Sequence, residues 1–351
     1  MRSTGTAATA GPAGARERRG ASDATGGALL GACAAWSLIT AGVHGGHPEG
    51  MLLAVLAVAA GYAGGRICGA LLPVAAPCAG ALAGLGLAVA APRLTLGPSS
   101  PLGHTGATAA LLILAAGAAC CAAWAARTAA ARLTLRLLAV GIAGAAVALG
   151  SPAGFVGCVV VLLCSLAAAR LRARALGLAG LAAAAVLVTG VSLAVAEDAL
   201  PEGLTAPLEG QLGRQRVLLW RDAMGLAERE PAMGVGPGRF GEISPVVTED
   251  LLADGKPHSA PLQQASEQGF VGMALLAAVF CWLLYALWRS PRSTQVVLSA
   301  GAALTALTAV ATVGNALSVT TVTTAAGLLA GIATARPLGD DPPDGALSHH
   351  P

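Results

Sequence analysis

Charge is scarce in this chain. Only 11% of its 351 residues are Asp, Glu, Lys or Arg, and a soluble globular protein carries roughly twice that fraction. Lysine is almost missing: of 21 basic residues only Lys256 is a lysine. The net charge is +3, aromatics make up 3%, and no basic stripe is interleaved with aromatic residues, so nucleic acid is excluded as a partner. There is no Cys-x-x-Cys pair. The eight cysteines (33, 68, 78, 120, 121, 158, 164 and 281) all fall in apolar runs, where they read as small buried hydrophobes rather than metal or redox groups. Residues 1–26 are polar and carry Arg16, Arg18 and Arg19. They do not show the apolar core and cleavage site of a secretory leader, and a disordered tail is expected there.

What the chain has is apolar length. It is 55% hydrophobic with a mean hydropathy of +0.71, so a polytopic membrane protein is the expected class. A helix needs about 20 apolar residues to cross the hydrocarbon core. Spans are expected at 28–43, 50–65, 67–91, 105–126, 134–149, 153–169, 175–196, 269–288, 295–314 and 316–335. With the N-terminus in the cytoplasm, the inside segments hold 14 of the 21 basic residues. Outside, only Arg93 lies in a short connector, and the other six fall in one long loop, which is the asymmetry of the positive-inside rule. The layout is then a cytoplasmic tail (1–27), seven spans (28–196), an extracytoplasmic loop (197–268), three spans (269–335) and a second cytoplasmic tail (336–351).

The loop 197–268 holds 12 of the 18 acidic residues and 6 of the 21 basic ones. Polar loops of such length in compact proteins are functional or disordered, and this one carries order signals. Gln211–Glu230 has helical character, with Arg216, Trp220, Ala223 and Ala227 on one face and Arg214, Leu218 and Arg221 on another. Pro231 ends that helix, and Gly-Val-Gly-Pro-Gly at 234–238 makes a tight turn. On pattern alone this is an interfacial amphipathic helix with snorkelling arginines and a Trp anchor. His258-Ser259 then stands where the polar loop meets the next apolar run. Ser259 is placed to cap the following helix, whose first turn tolerates Pro261. The imidazole of His258 would sit beside that helix N-terminus, where free N–H groups can also bind a phosphate oxygen.

Two stretches, GRQRVLLWRDAMGLAEREPAMGVGPGRF (213–240) and HSAPLQQASEQGFVG (258–272), together resemble the O-antigen ligase and polymerase family, multi-span glycosyltransferases that act on lipid-linked sugars. The first is similar to the family's Arg-x-x-x-Trp/Leu helix with its Pro and glycine turn. The second is similar to its His-Ser signature, followed nine residues later by Gly-x-x-Gly. One position departs: where the family often has Ser-Arg, Ser151 is followed by Pro152. The resemblance implies an all-α, GT-C-like transmembrane bundle in the cytoplasmic membrane; the ten spans read from the apolar runs are fewer than the dozen or so common in that family. It also implies a donor that is a polyprenyl-diphosphate-linked saccharide, a glycan or other hydroxyl acceptor, contact with membrane lipid, and no cofactor.

That chemistry needs positive charge on the leaving diphosphate, ideally from arginine, and a base for the acceptor hydroxyl. Arginine alone can stabilise the diphosphate, so a metal need not be invoked. In the family's register Arg216 is the first candidate for the diphosphate and His258 the candidate base, both catalytic. Arg214, Arg239, Trp220, Ser259 and Glu267 are candidate substrate-binding residues, Glu267 by orienting a sugar or Arg216. Arg214 and Arg216 point about 200° apart on a helix, so one of them faces the site. His44-Gly-Gly-His47 is read as a loop rather than a metal pair, having no third ligand nearby, and His104 as a residue that could line an acceptor path. Two other classes stay open: a transporter or flippase for lipid-linked sugars, and a non-catalytic scaffold of the cell envelope.

Overall fold

The computed structural model describes residues 12–94, 101–171, 173–197, 214–248 and 255–338. Among them there is no strand. Thirteen helices run in order: α1 (Pro12–His44), α2 (Glu49–Leu71), α3 (Ala75–Leu94), α4 (Pro101–Ala125), α5 (Ala129–Ala148), α6 (Pro152–Ala167), α7 (Arg174–Ala196), α8 (Arg214–Arg229), α9 (Phe240–Ile243), α10 (Pro245–Thr248), α11 (Ala260–Trp288), α12 (Thr294–Val313) and α13 (Thr320–Thr334). Seven of these are long and apolar enough to cross a membrane: α1 from Ser22, α2, α4 from Gly106, α5, α7, α11 and α12. Shorter apolar helices, within α3 and at α6 and α13, occupy the positions of the other three expected spans. The protein is a multi-pass helical membrane protein.

Local signals set several boundaries. Thr128 caps α5 by accepting the Ala131 N–H at 3.2 Å. Ser151 caps α6 through the Gly154 N–H at 3.3 Å, with Pro152 filling the first turn where no N–H is needed. That structural role accounts for the Ser-Pro pair. Other boundaries differ from expectation. Helix α1 starts at Pro12, well before the expected first span at 28. Helix α2 runs through to Leu71, so Arg66 lies inside a helix rather than in a connector. There its Nη1 meets Asp23 Oδ1 at 2.8 Å and Tyr62 Oη at 3.4 Å. A helix crossing in the middle of α2, not a break, is what Gly61 and Gly65 serve.

At that crossing the two helix backbones come into contact. A Cβ on Gly61 or Gly65 would collide with the carbonyl oxygens of Thr324 and Leu328, and one on Gly327 or Gly331 with those of Val58 and Tyr62. Glycines four apart on both α2 and α13 thus let two backbones touch, the way small residues drive helix association in membranes. The central helices are α4 and α12, whose apolar segments are almost entirely buried. They carry most of the main core, which includes Leu112, Ile113, Val297 and Leu304.

A second, separate core lies over one end of the bundle. It joins Val195 and Ala196 at the end of α7, Val217, Leu219, Trp220, Ala223, Met224 and Leu226 of α8, Val235, Phe240 and Leu262. This core fixes α8 against the first turn of α11, and it positions the site.

Candidate functional site

Helix α8 is amphipathic in the expected register. Trp220, Ala223 and Ala227 are fully buried, and Leu218 on the opposite face is exposed. Arg216 is half-buried one turn before Trp220. Its Nε is buried with no hydrogen-bond partner, and it joins no ion pair among the described residues. Burial pushes its guanidinium down from the ordinary arginine value. A cation desolvated without a counter-charge is costly, and an anion bound there would offset that cost. Trp220 has no exposed surface and packs in the second core, with Nε1 also unpartnered. It is therefore neither a lipid-facing anchor nor open to a ligand as the structure stands. Arg214 begins α8, and its side chain lies outside the described residues.

His258 precedes α11, and Leu262, one turn further on, is part of the core around Trp220. Both candidate catalytic residues thus lie about one turn from the same core. His258 is 4% exposed, and it is the only residue other than glycine with a positive φ among the described residues (53°). Such a conformation costs an ordinary side chain roughly 1 kcal/mol. Ser259 occupies the N-cap position but makes no side-chain cap bond, which corrects the expected cap. One residue it would normally bond is Pro261, which has no N–H. The Ser259 hydroxyl is left buried and unpartnered.

Helix α11 is broken at Gly269 (φ 68°, ψ −175°). The break frees the carbonyls of Ser266, Glu267 and Gln268 from their helical partners. All three are taken up elsewhere: Val235 N donates to Ser266 O (2.9 Å), Gly236 N to Glu267 O (2.9 Å) and Trp36 Nε1 to Gln268 O (3.0 Å). In return Phe270 N donates to Pro231 O at 2.8 Å. The glycine turn is thus a substitute for one turn of helix. Gly234, Gly236 and Gly238 all have positive φ, which only glycine adopts without strain. A Cβ on Gly269 would run into the backbone of Ala232. The turn also receives the end of α1, where His47 N donates to Pro237 O at 2.7 Å.

Two of the candidate substrate-binding residues hold this assembly together. The Glu267 carboxylate accepts the Gly238 N–H and a bond from Gln263 Nε2 at 3.3 Å, with Lys256 nearby. Glu267 is buried in the polar stretch that precedes the more apolar residues 270–288 of α11. Arg239 donates from Nη1 to His44 O at 2.6 Å and pairs with Glu242 at 3.4 Å. His44 and His47 therefore brace the turn, and among the described residues no group of three His, Cys, Asp or Glu is arranged for a metal. The side chain of His104 lies outside the described residues.

Sequence reasoning passed over Gln264 and Gln268. Each has a buried Oε1 without a partner. Their spacing of four residues, with Gly272 a further four on, was the readable signal. Five unpartnered buried atoms are therefore concentrated on α8 and the start of α11: Arg216 Nε, Trp220 Nε1, Ser259 Oγ, Gln264 Oε1 and Gln268 Oε1. Buried polar groups in native proteins are almost always paired, so such a concentration singles out this junction as the candidate site.

A helical membrane bundle with a separate small core over one end, and a half-buried arginine beside that core, defines a class: a multi-pass integral membrane protein. Residues 137–277, from within α5 to within α11, match the family model described as O-antigen ligase. Over this stretch the chain is O-antigen ligase-like, and the match supports a glycosyltransferase-type function in a membrane. No curated protein and no solved structure matches the chain.

Proposed function

We propose that the protein transfers or polymerises saccharide from a polyprenyl-diphosphate donor onto a glycan or other hydroxyl acceptor, on the extracytoplasmic face of the cytoplasmic membrane. The observation that carries the reading is Arg216: a half-buried guanidinium with an unpartnered buried Nε and, among the described residues, no carboxylate paired to it, inside the segment that is O-antigen ligase-like. Its chemistry suits a diphosphate, which an arginine fork binds through charge-assisted hydrogen bonds.

In this reaction the acceptor oxygen attacks the anomeric carbon of the donor sugar from the side opposite the diphosphate. The new glycosidic C–O bond forms as the bond from that carbon to the diphosphate oxygen breaks, with inversion. The proton of the acceptor hydroxyl passes to His258, and the electron pair leaves with the diphosphate, whose growing charge Arg216 stabilises. His258 is held in an unusual backbone conformation beside the first turn of α11, as expected of residues whose placement serves a reaction. Glu267 and Arg239 act on the same site by fixing the glycine turn. The loop orientation comes from the distribution of arginines, with short connectors rich in them on the opposite side.

The test uses purified protein in nanodiscs with a fluorescent polyprenyl-diphosphate oligosaccharide, followed by release of free lipid diphosphate. Wild type should release it. Arg216→Ala and His258→Ala should each reduce release by about a thousandfold, within the range for loss of a charge-stabilising group or a general base. Equal release by the variants would remove these residues from the mechanism, and no release by wild type despite donor binding would favour a transport role.

A further inference from the structure

Gln264 and Gln268 lie on the same side of α11, one turn apart, on the polar stretch between His258 and the apolar residues 270–288. At 1.5 Å per residue they stand about 9 and 15 Å beyond His258 along the axis. Both side-chain oxygens converge on one point: each lies 3.3 Å from where a Cβ on Gly272 would sit. Gln268 is 1% exposed and its Oε1 has no partner. Gln264 Oε1 is likewise unpartnered, and its Nε2 reaches only the weak acceptor Met51 Sδ at 3.7 Å. Beside them the ring of Trp36 is fixed by its bond to Gln268 O. Trp36, Met51 and Gln264 are each half-buried, so the cluster reaches the crevice between α1, α2 and α11 rather than being sealed in the core.

Two carboxamides with unused acceptors beside an immobilised aromatic ring have the composition of a site with an apolar wall and a few convergent polar groups. Each amide can accept from and donate to neighbouring hydroxyls. A diphosphate would call for cations here, and the described residues that form the cluster bring none. We infer that Gln264 and Gln268, with Trp36, form a subsite for the hydroxyl groups of a saccharide and determine which sugar is accepted. The inference rests on the glycosyl-transfer reading above for the kind of ligand. It gives Gly272 a role as well, since any side chain there would displace both amides.

The experiment measures binding to the full chain in nanodiscs. The donor probes are polyprenyl diphosphate alone and the same lipid carrying N-acetylglucosamine, N-acetylgalactosamine or galactose. The acceptor probe is a free N-acetylglucosamine tetrasaccharide. In wild type at least one sugar-bearing probe should bind about tenfold better than its sugar-free reference, the worth of roughly one good hydrogen bond. Gln264→Met and Gln268→Met should erase that preference while leaving affinity for the bare lipid diphosphate unchanged. Loss in the lipid-linked arm assigns the subsite to the donor sugar, and loss in the tetrasaccharide arm assigns it to the acceptor. The melting temperature is a second readout. A buried amide held for a ligand is a stability cost, so Gln268→Met should melt no lower than wild type. No sugar preference in wild type, an unchanged preference in both variants, or a fall in melting temperature with the preference intact would each overturn the subsite. If wild type shows the preference and the variants lose it, yet no lipid diphosphate is ever released, the transfer reading fails and the subsite stands.

Discussion

Along the α2–α13 crossing, backbone meets backbone through Gly61, Gly65, Gly327 and Gly331, and no unpartnered buried side-chain polar atom lies on either helix among the described residues. At the α8–α11 junction the packing is also tight, around Trp220 and Leu262, yet five buried polar atoms on these two helices have no partner. The first region is close-packed and satisfied, as a membrane interior demands. The second spends stability on unsatisfied groups. Proteins place such costs where they serve function, and the difference between these two regions is the physical argument for where the chemistry occurs.

The contrast can be broken most severely at the seam. Gly331→Val would drive a side chain into the Tyr62 carbonyl, and Gly327→Val one into that of Val58. Each should cost about 3 kcal/mol, the upper end for overpacking, and should be read as loss of monodisperse protein in detergent. A variant that behaves like wild type would mean the seam is not the rigid element described. Trp220→Ala empties the second core and should cost about 3 kcal/mol, the low end for losing a buried aromatic. Its signature is protease sensitivity confined to the loop while the bundle stays folded, because that core is separate from the main one.

Glu267 sharpens the comparison through its buried contacts. Its carboxylate accepts the Gly238 N–H and a bond from Gln263 Nε2 at 3.3 Å. Glu267→Ala leaves these donors unpaired and should cost about 2–3 kcal/mol, whereas Glu267→Gln can still accept the Gly238 N–H and should melt close to wild type. Equal melting temperatures for the two variants would contradict the bracing role. The smallest effect is expected at the far end of α11. There Arg174 donates to the carbonyls of Trp288 (3.2 Å), Ser290 (2.7 Å) and Arg292 (2.7 Å), and Arg174→Ala should cost about 1–2 kcal/mol of melting stability with turnover per folded molecule unchanged.

Much of this was readable in the sequence, for physical reasons. Apolar length identified the helical membrane class, and the 3.6 period placed Arg216 and Trp220 on one face of α8. Pro231 and the glycines at 234–238 announced a stop and a turn. The rest depends on tertiary contacts. Nothing local says that the carbonyls of Ser266, Glu267 and Gln268 are taken by the glycine turn and Trp36, since their partners come from segments distant in the chain. That is why Glu267 and Arg239 read as ligand-binding residues although the structure gives both a bracing contact. Ser259 looked like a helix cap because the residue type fits, but Pro261 removes an N–H it would bond. Arg66 looked like a connector residue because a charge in an apolar run reads as a break, and only its contacts with Asp23 and Tyr62 show why it sits within a helix.

The central claim is that Arg216 Nε and the Gln264 and Gln268 amide oxygens at the α8–α11 junction are kept unpaired for a ligand at the expense of stability. It is tested most directly by Arg216→Met, measured for melting temperature and for release of lipid diphosphate in the same preparation. The account predicts a melting temperature at or above that of wild type, because a desolvated charge is removed and the stem is retained, together with loss of release by about a thousandfold. A lower melting temperature with release preserved would show that Arg216 is a structural residue and would contradict the account.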